Sequence, residues 1–474
     1  MKALLSSSTL SLLNEVVKPI GYDKEQASNG IVHIGIGAFH RAHQAVFTND
    51  LLKLDNHWKI TAVSLRSPKI RNEMSPQNSL YTVVERSNTG DEVSLIGAVE
   101  NVLVAPENPQ SVIDAIANQE TKVVTLTITE KGYCRDASGE HIDVNSQIVK
   151  DDLLTPHSPK TFAGFIVAAC NLRRKSGDKL TIISCDNLPS NGRITQTIVL
   201  EFANLLDPEL AHWIKDNVSF CNSMVDRIVP ATTADDIAQV SELIGVIDNC
   251  TVITEPFKQW VIEDDFIAGR PAWETVGAQF VEDVVPYEKM KLSLLNAGHS
   301  VLGILGALYG YSTIDEAASN ADISSFLRIY MDNEVTPTLG DLEGVNLKNY
   351  KFSLIQRFGN TYIKDQIDRI CSQSSAKIPI FILPTINTQL ETKGSIDHAA
   401  FIIAAFAIYS VGVNEFGTQL MIKDAMENVL NEKAIASRAH PKAFLEIEAI
   451  FGSLKDNTTF VEAYTKAYQN IVQN

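Results

Sequence analysis

Clustered metal-ligating residues are missing from this chain. Its six cysteines, Cys134, Cys170, Cys185, Cys221, Cys250 and Cys371, form no CxxC pair and share no Cys/His spacing of the kind zinc sites use. No metal is expected, and a reduced compartment suits them best. Cationic excess is missing too. Against 57 acidic residues stand 40 Lys and Arg, a formal net charge of −17, and such a surface repels phosphate backbones and anionic lipid. Neither nucleic acid nor a membrane surface is an expected partner. The longest apolar run, "AAFIIAAFAIYSVGV" from Ala399, has 15 residues, short for a bilayer span and typical of a buried helix. The N-terminal "MKALLSSSTLSLLNEVVKPIGYDKEQ" has no long apolar core and no small-residue cleavage site, so the expectation is a cytoplasmic protein.

What is present is the composition of a globular protein, 45% hydrophobic and 20% charged over 474 residues, which is too long for one ordinary core. The segment "GIVHIGIGAFHRAHQAVFTNDLLK" reads as an apolar strand, a glycine turn and a helix running to about Leu52. Further strands are expected at "WKITAVSLRS", "SLYTVVER", "VSLIGAV", "KVVTLTIT" and "KLTIISC", the last two separated by the helical "TFAGFIVAACNLRRKSG". This alternation predicts an α/β fold, a Rossmann-type, doubly wound, mostly parallel sheet. After about Val285 the pattern becomes helix after helix, so the expected domains are 1–285, binding a dinucleotide, and 286–474, mainly helical.

Gly35 and Gly37 supply a G-x-G turn that can set backbone N–H groups against a pyrophosphate at a helix N-terminus. The expected cofactor-binding segment is therefore Gly35, Ile36, Gly37, Ala38, Phe39 and His40, although His40 replaces the third glycine of the fingerprint. An NAD site should also have an acidic residue after the second strand. Here "SLRSPKIR" offers Arg66, Ser67, Lys69 and Arg71, so these residues leave NAD against NADP open.

Polar residues follow the later strands: Glu130 and Lys131 in "TITEKGYC", Asp186, Asn187 and Asn191 in "ISCDNLPSNG", and Asp226 and Arg227 in "NSMVDRIVPATT". A further group lies in "KLSLLNAGHSVLG". On a helix turning ~100° per residue, Lys291, His299 and Asn296 fall at ~0°, ~80° and ~140°, on one broad face. Gly298, with Ala297 and Ser300, leaves a gap for another backbone, a nicotinamide ring or a packed helix.

Taken together, "IGIGAFHRAHQAVF", "TITEKGY", "SCDNLPSNG", "MVDRIVP" and K-x(4)-N-x(2)-H resemble the polyol-specific long-chain dehydrogenase/reductase family, the mannitol dehydrogenase family, from about Ile31 to Tyr468. "YMDNEVTPTL", "RICSQSSAKIPIF" and "LPTI" resemble its mannitol, arabinitol and sorbitol members more than its uronate reductases. The resemblance implies a metal-independent hydride transfer at C2 between D-mannitol and D-fructose, with D-fructuronate reduction to D-mannonate, or arabinitol or sorbitol oxidation, as alternatives. It implies Lys291 as general base, Asn187 and Asn296 as oxyanion donors, and His299 orienting the reacting oxygen. Asp226, Arg369 and Lys377 fall near the substrate, and Glu288 passes the proton to water. Ser67 stands where some members carry a carboxylate toward the cofactor; NAD is the expectation, with NADP the alternative, and a monomer is compatible with the resemblance.

These residue types suit the chemistry. Alcohol oxidation needs a base for the O–H proton, donors for the alkoxide-like oxygen and a hydride acceptor over the carbon. Burial and a nearby nicotinamide cation both favour a neutral lysine, and amides donate hydrogen bonds without adding a titrating charge.

Overall fold

A computed structural model describes residues 2–136, 138–340, 342 and 345–473, and the chain divides into two compact units, Met1–Val285 and Pro286–Asn474. In the first unit the apolar β-branched runs form a six-stranded parallel sheet: β1 (Asn29–Ile34), β2 (Lys59–Ser64), β3 (Val99–Val104), β4 (Val123–Leu126), β5 (Leu180–Ser184) and β6 (Val218–Cys221). Their neighbour order is β3-β2-β1-β4-β5-β6. That is the doubly wound order in which the chain leaves β1 toward one edge and later returns to lay β4 on its other side.

Both faces of the sheet are covered, which is why its strands read as nearly continuous Val, Ile and Leu. Val32, Ile34, Val124, Leu126 and Ile182 share one core with Phe165, Ile198 and Phe202. Ile31, Ile60, Val123 and Ile183 belong to the opposite core, with Phe47, Trp260 and Trp273. The expected hairpin appears as Tyr81–Ser87 paired with Gly90–Ile96, in a separate four-stranded sheet. Ser223–Asp226 runs antiparallel to Gln259–Glu263 in a third, smaller sheet.

The helix after the glycine turn departs from expectation. It is two pieces, Ala38–Ala42 and Gln44–Leu51, because His43 takes φ −123° and ψ −88° between them. There the His43 ring donates from Nε2 to the Gln259 carbonyl at 2.8 Å and stacks on Phe39 with centroids 5.0 Å apart. A tertiary anchor thus overrides a sequence pattern that reads as one helix.

The second unit is helical, with no sheet among its described residues. Its spine is Val285–Leu308, a 24-residue helix that is long and apolar enough by composition to cross a bilayer, a candidate missed by counting unbroken apolar runs. Yet 89% of its most apolar window is buried inside the protein. All twelve residues of its last segment, Ala297–Leu308, are buried. Asp397–Tyr409 is a second apolar helix of the same unit.

One buried cation organises the far edge of the first unit. Arg173, on the helix Phe162–Ser176, is 1% exposed. Its guanidinium donates to five backbone carbonyls: Ile116 at 2.8 Å, Asn118 at 2.9 Å, Thr121 at 3.1 Å, Asp178 at 3.2 Å, and Lys179. These carbonyls flank the starts of β4 and β5. Arg173→Ala orphans them, so it should cost about 3 kcal/mol of stability, while Arg173→Lys, lacking the planar fork, should recover only part. All four tryptophans lie in this unit, so urea unfolding followed by tryptophan fluorescence measures the effect.

Candidate active site

At the end of β1 the chain must turn sharply to enter a helix. Gly35 does so at φ +104°, where a Cβ would lie 2.1 Å from the Thr127 carbonyl oxygen of the loop after β4. No side chain fits there. The Gly35 and Ile36 N–H groups donate to the Val63 carbonyl of β2 at 2.9 and 3.3 Å, and Gly37 donates back to Gly35 at 2.7 Å. Gly37 is exposed and precedes Ala38–Ala42; a Cβ on it would meet nothing nearer than the Gly35 oxygen at 3.9 Å. One glycine closes the turn against the sheet and the other keeps its outer side open, a cradle that fits a pyrophosphate.

His40 solves the problem that the fingerprint's third glycine solves elsewhere, close helix–strand packing. Its ring lies flat on His33 of β1, with centroids 3.4 Å apart and planes 12° from parallel. His33 is fixed by Thr125 Oγ at 2.7 Å from Nδ1 and by Thr127 Oγ at 2.9 Å from Nε2. Burial pushes His33 down to about 3 and His40 well below the usual histidine range, so both rings stay neutral at physiological pH. Ser67 proves to be a turn residue, its carbonyl accepting from Ser64 Oγ at 2.7 Å and its hydroxyl from the Lys69 N–H at 3.2 Å. Arg71 is paired with Glu107 at 2.9 Å, whereas Arg66 and Lys69 are exposed.

The loops after β4 and β5 are pinned to each other. Asp186 accepts from the Ile128 N–H at 3.0 Å, the Thr129 N–H at 2.9 Å and the Tyr133 hydroxyl at 2.8 Å. Loss of hydration raises its carboxyl to about 6, against the pull of those three donors. Asn191, 1% exposed, donates to the Asp186 and Ser223 carbonyls at 2.9 and 2.7 Å. Of the three polar residues read in this loop, two tie it down, and Asn187 is exposed between them. Asp226 is 2% exposed at the end of Ser223–Asp226. Its neighbour Arg227 is structural: it donates to the Glu255 carbonyl at 2.9 and 3.1 Å and to that of Ala42 at 2.6 Å, and pairs with Glu85.

In the second unit the spine helix departs from regular α geometry at the residues of interest. Leu292–Asn296 is a π turn, in which the Ala297 N–H reaches back to the Leu292 carbonyl. An i→i+5 ring stacks residues five apart, so Asn296 lies one turn above Lys291 rather than ~140° around from it. Glu288, Lys291 and His299 are 8%, 5% and 8% exposed. Asn296 is half-buried, and its Oδ1 has no hydrogen-bond partner among the described residues. His299 packs its ring on Phe358, with centroids 4.7 Å apart. The gap at Gly298 belongs to side chains: a Cβ there would sit 3.0 Å from Met331 and 3.1 Å from Phe358. Helix packing, rather than a backbone or a nicotinamide, accounts for that glycine. Arg369 forms a two-point pair with Asp365 at 2.8 and 2.5 Å, and Lys377 donates to the Ile370 carbonyl at 2.8 Å. Among the described residues no group of three His, Cys, Asp or Glu is placed to hold a metal ion.

Comparison with known proteins matches the mannitol dehydrogenase Rossmann domain over residues 29–275 and the mannitol dehydrogenase C-terminal domain over 283–472. A D-mannonate oxidoreductase of Escherichia coli (strain K12) is 40% identical, covering 97% of this chain and 96% of its own. A mannitol 2-dehydrogenase of Aspergillus oryzae is 39% identical, covering 94% and 91%. Among solved structures, the Pseudomonas fluorescens mannitol 2-dehydrogenase ternary complex with NAD and D-mannitol superposes with a TM-score of 0.92 at 40% identity, covering 98% and 96%.

The raised Asp186 carboxyl makes the first unit's stability depend on pH. Folding favours the neutral form, so this group's contribution is complete below its ordinary value of 3.8 and is lost as pH rises through about 6. Between about pH 4 and about pH 6.5 the urea midpoint of the wild type should therefore fall relative to that of Asp186→Asn. Parallel curves for the two proteins would remove the carboxyl from this role.

Proposed function

The chain belongs to the mannitol dehydrogenase family, and we propose that, as an NAD-dependent oxidoreductase acting on a CH–OH group, it interconverts D-mannitol and D-fructose. The observation that carries the reading is Lys291, 5% exposed on an apolar helix, with Asn296 one π turn further along. Lys291 takes the proton of the hydroxyl being oxidised, and its burial suits that role because an amine removed from water is more easily kept neutral. Asn296 and Asn187 donate hydrogen bonds to the oxygen as it gains charge; His299 orients that oxygen, and Glu288, one turn before Lys291, passes the proton on to water. Bound on the Gly35–His40 turn, NAD supplies the hydride acceptor. Asp226, Arg369 and Lys377 hold the remaining hydroxyls.

A neutral hexitol is favoured by the state of Arg369. Its guanidinium is matched by Asp365 at two points, so the carboxylate of a hexuronate would have to compete with one already in place. The second reading, D-fructuronate reduction, is favoured by the 40% identity to the E. coli D-mannonate oxidoreductase, as high as that to the structurally matched mannitol 2-dehydrogenase.

Lys291→Ala should lower mannitol oxidation by about 10²- to 10⁴-fold while NADH binding, read by tryptophan quenching, persists. An active variant would take the base role from Lys291. Initial rates of NADH oxidation with D-fructose, D-fructuronate and D-tagaturonate should show the highest kcat/KM for fructose. A preference for fructuronate of about tenfold or more would move the protein to hexuronates and leave the lysine chemistry standing.

A further inference from the structure

Immediately after β4, beside the point where the strand order reverses, Thr129 takes φ +66° and ψ 163°. That region of backbone space is essentially reserved for glycine, and a β-branched residue is among the least suited to it. The neighbouring loop supplies what keeps it there. The two oxygens of Asp186 collect the Ile128 and Thr129 N–H groups and the Tyr133 hydroxyl, all within 3.0 Å. On its other side the same loop meets the nucleotide turn: the Thr127 hydroxyl donates to the Gly35 carbonyl at 2.7 Å, and the Thr127 carbonyl fills the place of a Gly35 side chain. Asp186, Thr129, Thr127 and Gly35 thus form one mechanical chain from the loop after β5 to the glycine turn.

We propose that Asp186 is a positioning residue for the dinucleotide, holding Thr129 in its glycine-like conformation so that the edge of the cofactor cradle is shaped before the ligand arrives. This rests on the NAD-dependent reading above. A carboxylate is needed because three donors converge on it and both its oxygens only accept; an asparagine would turn an NH₂ group toward at least one N–H. Once released, Thr129 relaxes to an ordinary region of backbone space, and the Thr127–Gly35 contact shifts with it. Glycine at 129 would adopt the observed conformation unaided.

The strain on Thr129 therefore separates positioning from plain stability. Asp186→Asn should weaken NADH binding by roughly tenfold in a tryptophan-quenching titration of the full-length protein, and raise the KM for NADH more than it lowers kcat. Adding Thr129→Gly to Asp186→Asn should restore most of the lost affinity. If Asp186 serves stability alone, the folded variant binds NADH like the wild type, or the added glycine restores nothing; either result overturns the proposal. Should Asp186→Asn not fold, Asp186→Glu keeps the charge but displaces its oxygens, and unchanged affinity in that variant overturns the proposal equally. A wild-type protein that fails to bind NADH would instead sink the functional reading itself.

Discussion

The binding edge of the first unit depends on one steric constraint, the approach of β1 to the loop after β4 at Gly35. A side chain there would stand 2.1 Å from a carbonyl oxygen, so β1 and β4 come together only because that position has none. Everything nearby is fitted around this contact. His33 and His40 stack to bring helix and strand close without a third glycine, and the Thr127 hydroxyl and the His33 ring meet around the Gly35 carbonyl. The outer side of the turn, at Gly37, is left open.

Buried polar groups in this unit are met largely by neutral dipoles. Arg173 is caged by carbonyls, Asp186 by two N–H groups and a hydroxyl, and His33 by two threonines. Such networks stiffen loops without opposite charges, whose desolvation in a low-dielectric interior is expensive. They also place stiffness where a dinucleotide site needs it, at the carboxyl ends of β1, β4 and β5.

Much of the fold could be read from the sequence because two-sided burial leaves a plain mark. The runs IVHI, ITAV, VVTL and LTII are strands of the parallel sheet, and the residues after Pro286 are helices. The glycine turn was readable for the same kind of reason, since only glycine tolerates φ +104° there. What was hidden depends on tertiary partners. The break at His43 follows from a carbonyl more than two hundred residues away, as the separation of 216 between His43 and Gln259 shows. Asp186 and Asn191 read like any polar loop residues, and only the converging donors separate them from Asn187. A positive φ at a threonine has no signature in composition or spacing.

The π turn was equally hidden, since Leu292, Ser293, Leu294, Leu295 and Asn296 are individually ordinary helix residues. A π turn is an α-helix carrying one residue more than its hydrogen-bond ladder can absorb. The alignment of Lys291 with Asn296 is therefore written in the number of intervening residues and not in their identities. Deleting any one of the four between them would heal the ladder and bring Asn296 to four positions after Lys291, still on its face, but would rotate everything that follows, His299 included, by ~100°. Substitution within the stretch leaves the register intact, whereas insertion and deletion do not, so among related chains this segment should vary in letters and never in length.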